Sequence, residues 1–235
     1  MAKKIDDLLK KKADDPKAAK LARIAGICSN IKKKFGEESV NFLGNNKAEA
    51  MPRISTGSIA LDKITGGGFP EGRIIEVFGG ESSGKTSICY HVISEFQKKY
   101  PDGLCAFVDE EGTFDPIYAA AIGVNVGELI TSQPDSGEDA FGMVQALIEN
   151  GVKLIVVDSV AAMLPKDEAA AEEYGQTGVA LQARLMSQGL RKLNPFLNKF
   201  KATLVFTNQT RTNIKVMYGD PQCVSVDTMV EVEFE

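Results

Sequence analysis

Eight residues, Gly79-Gly80-Glu81-Ser82-Ser83-Gly84-Lys85-Thr86, read G-x-x-x-x-G-K-T and constrain the fold more than any other stretch of the chain. Glycines let such a loop turn tightly with its backbone N–H groups facing inward, a concavity that holds phosphate oxygens. In that geometry Lys85 reaches the β- and γ-phosphates of a nucleotide, and the Thr86 hydroxyl ligates Mg²⁺. Ser87 completes the candidate nucleotide-binding set. The flanks match the mechanism. Arg73–Phe78 has a buried-strand pattern, and Ser87–Ile93 an apolar helical one. A strand, then a loop, then a helix brings the positive end of the helix dipole to the anion. The alternative, a glycine-rich turn without a ligand, leaves those flanks unexplained.

The 235 residues suffice for one α/β domain with a small appendage. No apolar run approaches the roughly 18 residues of a membrane helix, so no membrane role is expected. The cysteines Cys28, Cys89, Cys105 and Cys223 show no C-x-x-C spacing, which predicts reduced thiols and a cytoplasmic setting. The only histidine, His91, falls on the helix after the phosphate loop, which argues against a Ser-His-Asp mechanism. Residues 1–50 carry 12 Lys/Arg against 7 Asp/Glu, and the remainder 15 against 25. An acidic total argues against bulk attraction to nucleic acid, so any such site must be a local lining.

Residues 1–50 read as an N-terminal helix and linker. Leu21, Ile24, Cys28, Ile31 and Phe35 recur at gaps of 3, 4, 3 and 4, a single apolar stripe ended by Gly36. That stripe docks either on its own core or on a neighbouring subunit. From residue 51 the chain reads as an α/β core. Strands are predicted at 73–78, 104–109, 128–132, 153–158 and 202–208, and helices at 85–99, 115–122, 137–150 and 179–200, with Pro195 kinking or dividing the last. The near-continuous apolar strands 153–158 and 202–208 are those of a mostly parallel sheet covered on both faces, so the fold class is an α/β P-loop NTPase core.

Phosphoryl transfer needs charge neutralisation, a positioned water and a sensor of the γ-phosphate. Asp158 closes a strand beside the phosphate loop and can hold Mg²⁺ through water. Glu111 follows strand 104–109 and can orient and deprotonate the attacking water; Glu110 is the rival, and Glu111 is favoured. Gln209 follows strand 202–208, and its amide can bond the γ-phosphate. Alone, each could be a solvated strand-end residue, but all three fall where binding groups collect.

Further segments carry a resemblance. Ile54-Ser55-Thr56-Gly57-Ser58, Gly80–Thr86, Asp115-Pro116-Ile117-Tyr118-Ala119, Ser132–Glu138, Val156–Ala162 and Met186-Ser187-Gln188 occur in the order and spacing of bacterial or phage RecA recombinases, over roughly residues 20–222. The segment Ile31–Gly36 is similar to that family's N-terminal helix. The resemblance implies an ATP- and Mg²⁺-dependent filament on single-stranded DNA that pairs it with homologous duplex in recombination and repair. It implies that Glu111 activates water, that Gln209 couples ATP to DNA, that Tyr118 stacks on adenine with Asp115 beside it, and that the N-terminal helix docks on the next subunit. Two DNA-facing loops correspond to about 168–178 and 209–222. Arg184, Ser187 and Arg191 match phosphate-contacting positions on one helix face, and Arg211 and Lys215 add charge to the second loop. The alternative for the arginines is an exposed helix face with intrahelical ion pairs. The first loop departs from the family: Ala170–Gly178 is acidic and lacks an expected methionine.

After Gln222 the family pattern stops. Residues 223–235 contain C-x-x-x-D-T-x-V, which is similar to the opening block of an intein. Cys223 would attack the Gln222 carbonyl in an N-to-S acyl shift. Such a piece is expected to be half of a split intein completed by a C-terminal partner polypeptide; a truncated gene or a cloning boundary are the alternatives. The alternating Val230, Val232 and Phe234 suit a strand in want of a partner. The chain alone is expected to hydrolyse ATP weakly. A non-hydrolysing filament subunit and a helicase-type motor on the same core are the competing readings.

Overall fold

The computed structural model describes residues 16–37, 39–40, 51–169, 178–212, 222–223 and 230–234; at 18, 169, 178–180, 211–212, 222–223 and 230–234 it describes the backbone alone. The chain divides into two units, Met1–Ala50 and Met51–Glu235.

In the first unit, α1 spans Pro16–Phe35. Proline suits a first helical position, where its missing N–H is not needed. Gly36 ends the helix with φ +100°, and its N–H returns to the Lys32 carbonyl at 2.9 Å. Lys32, Lys33 and Lys34 sit in the last turn, where the helix dipole favours cations. Ile24, Cys28 and Ile31 of the stripe are half-buried, while Leu21 and Phe35 are 44% and 67% exposed, leaving apolar surface open at both ends of the helix.

The second unit opens with a short antiparallel pair, β1 (Arg53–Ile54) and β2 (Phe69–Pro70), joined through α2 (Ile59–Thr65). Gly68 must be glycine. Its φ is +105°, and a Cβ there would lie 2.0 Å from the Ile54 carbonyl oxygen. Asp62 clamps the turn before α2, accepting from the Ser55 hydroxyl at 2.6 Å and from the Thr56 N–H and hydroxyl at 2.8 and 2.6 Å.

The remaining elements alternate. They are β3 (Ile74–Gly79), α3 (Lys85–Lys99), β4 (Cys105–Asp109), α4 (Pro116–Ile122), β5 (Leu129–Ser132), α5 (Gly137–Glu149), β6 (Leu154–Asp158), α6 (Lys166–Ala169), α7 (Gly178–Phe200) and β7 (Thr203–Gln209). A two-stranded ribbon follows, β8 (Arg211–Thr212) against β9 (Gln222–Cys223), and then β10 (Val230–Phe234). The main sheet is parallel throughout, in the order β10-β3-β7-β6-β4-β5.

Both faces of the sheet are covered, which explains its apolar strands. On β6, Leu154 and Val156 face a cluster with Tyr90, Ile93 and Phe96 of α3. Ile155 and Val157 face the other way, toward Val144 and Ile148 of α5 and Leu190 and Leu193 of α7. Each such side chain contributes on the order of 2 kcal/mol by leaving water. The two helices approach closely: a Cβ at Gly189 would meet the Phe141 ring at 2.4 Å.

Two expectations change. Pro195 does not divide its helix; α7 runs unbroken through it. Proline removes one backbone bond, but Leu190, Leu193 and Leu197 on either side are buried in the core and hold the helix together. The last strand is also not without a partner. β10 lies parallel on β3, from Val230 beside Ile75 to Phe234 beside Gly79.

Candidate nucleotide-binding site

Parallel strands end together, so the carboxyl edges of β3, β4, β6 and β7 gather residues far apart in sequence. Between β3 and α3 the phosphate loop turns on Gly84, whose φ of +92° is left-handed and leads into the first turn of α3. Lys85 folds back over this loop, its Nζ donating to the carbonyls of Gly79 at 3.2 Å and Gly80 at 2.7 Å. A cavity of about 450 Å³ opens in front, lined by Glu81, Ser82, Ser83, Gly84, Lys85, Thr86 and Ser87 of one segment and by Glu111, Asp158 and Gln209 of three others. The structure therefore brings together the strand-end carboxylates and the amide singled out from sequence.

At the floor, the Thr86 hydroxyl donates to Asp158 Oδ2 at 2.6 Å, and the Thr207 hydroxyl donates to Oδ1. Burial pushes the Asp158 carboxyl upward; the two hydroxyls pull against it, and Glu111 and Asp109 add to the rise. A hydroxyl and a carboxylate meeting at a phosphate loop are hard oxygen donors of the kind Mg²⁺ takes beside phosphates. Cys89, behind Asp158, is held as a thiol by complete burial and by the nearby carboxylate.

The two adjacent glutamates diverge. Glu111 is exposed, lines the cavity and accepts a hydrogen bond from the Ser159 hydroxyl. Glu110 turns away, is half-buried, and its Oε1 is enclosed without a hydrogen-bond partner. Asp109 shapes the turn that follows, accepting from the N–H groups of Thr113 at 3.1 Å and Phe114 at 3.0 Å and from the Gln133 amide.

Asp115 caps α4, its Oδ1 accepting from the N–H groups of Ile117 and Tyr118 at 2.9 and 3.0 Å, with Pro116 at the first helical position. The Tyr118 ring is 46% exposed, and its hydroxyl lies 3.0 Å from Ser87 Oγ at the cavity rim. Tyr90 was missed in the sequence. It is buried, stands edge-on to Tyr118 at 6.0 Å, and its hydroxyl accepts from the Asp115 N–H. A tyrosine on the buried face of a helix looks like any core aromatic, so no local signal marks it.

The candidate DNA-contacting residues Arg184, Ser187 and Arg191 are exposed on α7. Arg191 donates to the Ser187 carbonyl at 3.1 Å and approaches its hydroxyl at 3.4 Å. Arg184 lines a groove of about 360 Å³ between α5 and α7 with Gln188 and Lys192. Among the described residues neither arginine forms an ion pair with a carboxylate, contrary to the intrahelical alternative. Gln182 ties α7 to the end of β6 by donating to the Val160 carbonyl at 2.7 Å. Lys215 and most of both loops lie outside the described residues, as do the side chains of Arg211 and Cys223.

Glu110 makes a measurable prediction. Burial, then Asp109 and Asp139, raise its carboxyl from the ordinary 4.5 to about 7. The folded chain thus keeps a proton that the unfolded chain has lost, and stability contributed here falls as pH rises from 4.5 to 7. Glu110→Gln is expected to remove that slope. It should gain about 1 kcal/mol over the unsubstituted chain at pH 8, after allowance for screening by water, and be nearly equal to it at pH 4.5. Denaturant unfolding at both pH values measures this, and an unchanged difference between them would reject it.

The profile of the RecA N-terminal domain matches residues 22–230. The chain is similar to curated proteins named "Protein RecA". It is 50% identical to that of Oceanobacillus iheyensis over 194 residues, covering 82% of this chain and 55% of the relative. It is 48% identical to that of Staphylococcus carnosus over 198 residues (83% and 55%) and 45% identical to that of Streptococcus uberis over 222 residues (94% and 57%). The chain spans somewhat more than half the length of these relatives. Among the described residues, no helix is long and apolar enough to cross a membrane.

Proposed function

This chain belongs to the RecA family, and from that premise we propose that it carries the ATPase core of a cytoplasmic DNA recombinase subunit. In this reading it assembles with copies of itself through α1 into a filament on single-stranded DNA, which is then paired with homologous duplex. The observation that carries the reading is the convergence of Thr86, Asp158, Glu111 and Gln209 on one cavity from four separate segments.

The loop amides and Lys85 hold the β- and γ-phosphates of ATP. Tyr118 offers its exposed ring to adenine. Thr86 and, through water, Asp158 would hold Mg²⁺, which would supply neutralisation of phosphate charge. Glu111, oriented by Ser159, accepts the proton of the attacking water. Gln209 senses the γ-phosphate at the start of the second loop, where nucleotide state can reach DNA. Calorimetry with magnesium nucleotide and ATP turnover with and without single-stranded DNA test the reading; a chain that binds no nucleotide overturns it.

Arg184, Ser187 and Arg191, with Arg211 and Lys215, supply backbone contacts that read no sequence. Replacing both Arg184 and Arg191 by alanine is expected to weaken single-stranded DNA binding equally on all sequences. Each lost phosphate contact should lower the slope of log K against log salt by about 0.7. Fluorescence anisotropy over a salt series measures this, and an unaltered slope removes these arginines from the interface.

The finer part of the reading concerns Cys223, which starts a splicing element that joins this chain to a C-terminal polypeptide. Its support is the C-x-x-x-D-T-x-V pattern. Cys223→Ala is expected to abolish joined product when the chain is mixed with its partner half. Joined product formed by that variant dismisses the splicing role.

A further inference from the structure

Behind the nucleotide cavity lies a buried polar pair that the proposed mechanism does not use. Glu76 sits in the middle of β3, fully buried, among apolar neighbours on the strand that leads into the phosphate loop. A buried carboxylate is costly unless hydrogen-bonded. Asn208, 132 positions later on β7 and also buried, donates from Nδ2 to Glu76 Oε1 at 2.7 Å. The other end of the same amide works too: Asn208 Oδ1 accepts the N–H of Gln209 at 2.9 Å. Gly79 and Gln209 form the last rung between the two strands, and the Thr210 N–H reaches the Gly79 carbonyl at 3.4 Å. Beyond that rung β7 leaves the sheet.

We infer that Glu76 and Asn208 are positioning residues for γ-phosphate recognition. Asn208 is a rigid bridge with one end on the phosphate-loop strand and the other on the backbone of Gln209. An apolar residue at position 208 would strip the buried Glu76 carboxylate of this amide donor and the Gln209 N–H of this acceptor. These bonds to Glu76 and to the Gln209 N–H fix the direction in which Gln209 departs from the sheet and hold its amide at the cavity rim. The bond to Glu76 ties that direction to the strand ending at Gly79, so the two sides of the γ-phosphate pocket keep their spacing. Neither residue lines the cavity; both act through Gln209. This inference rests on the nucleotide reading above.

The test compares affinities of the full chain for magnesium ADP and magnesium ATPγS by calorimetry. A purely structural defect weakens both nucleotides together, whereas loss of Gln209 positioning weakens only the one with a γ-phosphate. Asn208→Ala and the control Gln209→Ala are expected to lower the ATPγS-to-ADP affinity ratio about tenfold, the worth of one hydrogen bond, with ADP affinity unchanged within twofold. Glu76→Gln, which keeps an acceptor for Asn208, is expected to keep the ratio. Should Asn208→Ala fail to fold, Asn208→Ser, whose hydroxyl is too short to span both partners, should show the same fall. An Asn208 variant with the unsubstituted ratio, beside a Gln209→Ala ratio that has dropped, overturns the inference and leaves the nucleotide reading standing. An unchanged ratio in Gln209→Ala overturns it as well. If the unsubstituted chain binds neither nucleotide, the nucleotide reading itself has failed.

Discussion

Lys85→Ala is expected to weaken binding of magnesium ATP by about a hundredfold and to abolish measurable turnover. Among the described residues lining the cavity Lys85 is the one cation, and it carries its charge on a stem that rises from the first residue of α3. Its ammonium rests on the carbonyls of Gly79 and Gly80, dipoles that a phosphate oxygen outcompetes because it bears full negative charge. A hydrogen bond to a charged group is worth up to about 3 kcal/mol, or about two powers of ten in affinity. The loss should not come from unfolding, since those two bonds are made at a partly solvated loop and the core clusters do not include Lys85. Lys85→Arg should fail too, because a planar guanidinium does not fit where a compact point charge sits. Calorimetry alongside a thermal melt separates binding from stability. Retained affinity in a folded alanine variant would remove the phosphate cradle from the account.

Glu111→Gln carries the second large effect. Glutamine keeps the size of the side chain and can still accept from Ser159, but it cannot take a proton from water. A general base contributes roughly a hundred- to ten-thousandfold to rate, so turnover should fall by that much while affinity for magnesium ATP stays within a few-fold. Glu110→Gln is the internal control, because its side chain is turned from the cavity; turnover there should stay within about threefold. If Glu110→Gln is the variant that loses turnover, the assignment of the base is reversed. Steady-state hydrolysis and nucleotide titration of both variants decide between them.

Much of this site was legible before any fold was known. The phosphate loop announces itself because its function depends on backbone geometry that only closely spaced glycines permit, followed by a lysine and a hydroxyl in fixed register. The strand ends at Asp158, Glu111 and Gln209 were legible because a buried strand is an apolar run, and the polar residues that close or follow it mark the sheet's edge. Other features left no such mark. Tyr90 beneath the Tyr118 shelf, Asp62 clamping Ser55 and Thr56, and Glu76 bridged to Asn208 are isolated polar or aromatic residues within apolar or mixed segments. The bridging of Glu76 to a partner 132 positions away falls outside any local window. Of the two outcomes expected at Pro195, kinking or division, division does not occur, for a related reason: the cost of proline is local and visible, while the burial of Leu190, Leu193 and Leu197 that outweighs it is tertiary.

What the amino-acid order determined alone was the alternation of elements, the parallel character of the sheet and the chemistry available at its edge, since hydrophobic periodicity and backbone sterics act over a few residues. Which strands are neighbours belonged to the folded chain. Only there do Thr86 and Asp158, 72 positions apart, meet at 2.6 Å. Only there does Glu111 face the cavity while Glu110 is shut away, and only there does the strand Val230–Phe234 find β3. These are products of long-range packing, in which a side chain's neighbours are set by the sum of all burial in the domain and not by the residues on either side of it.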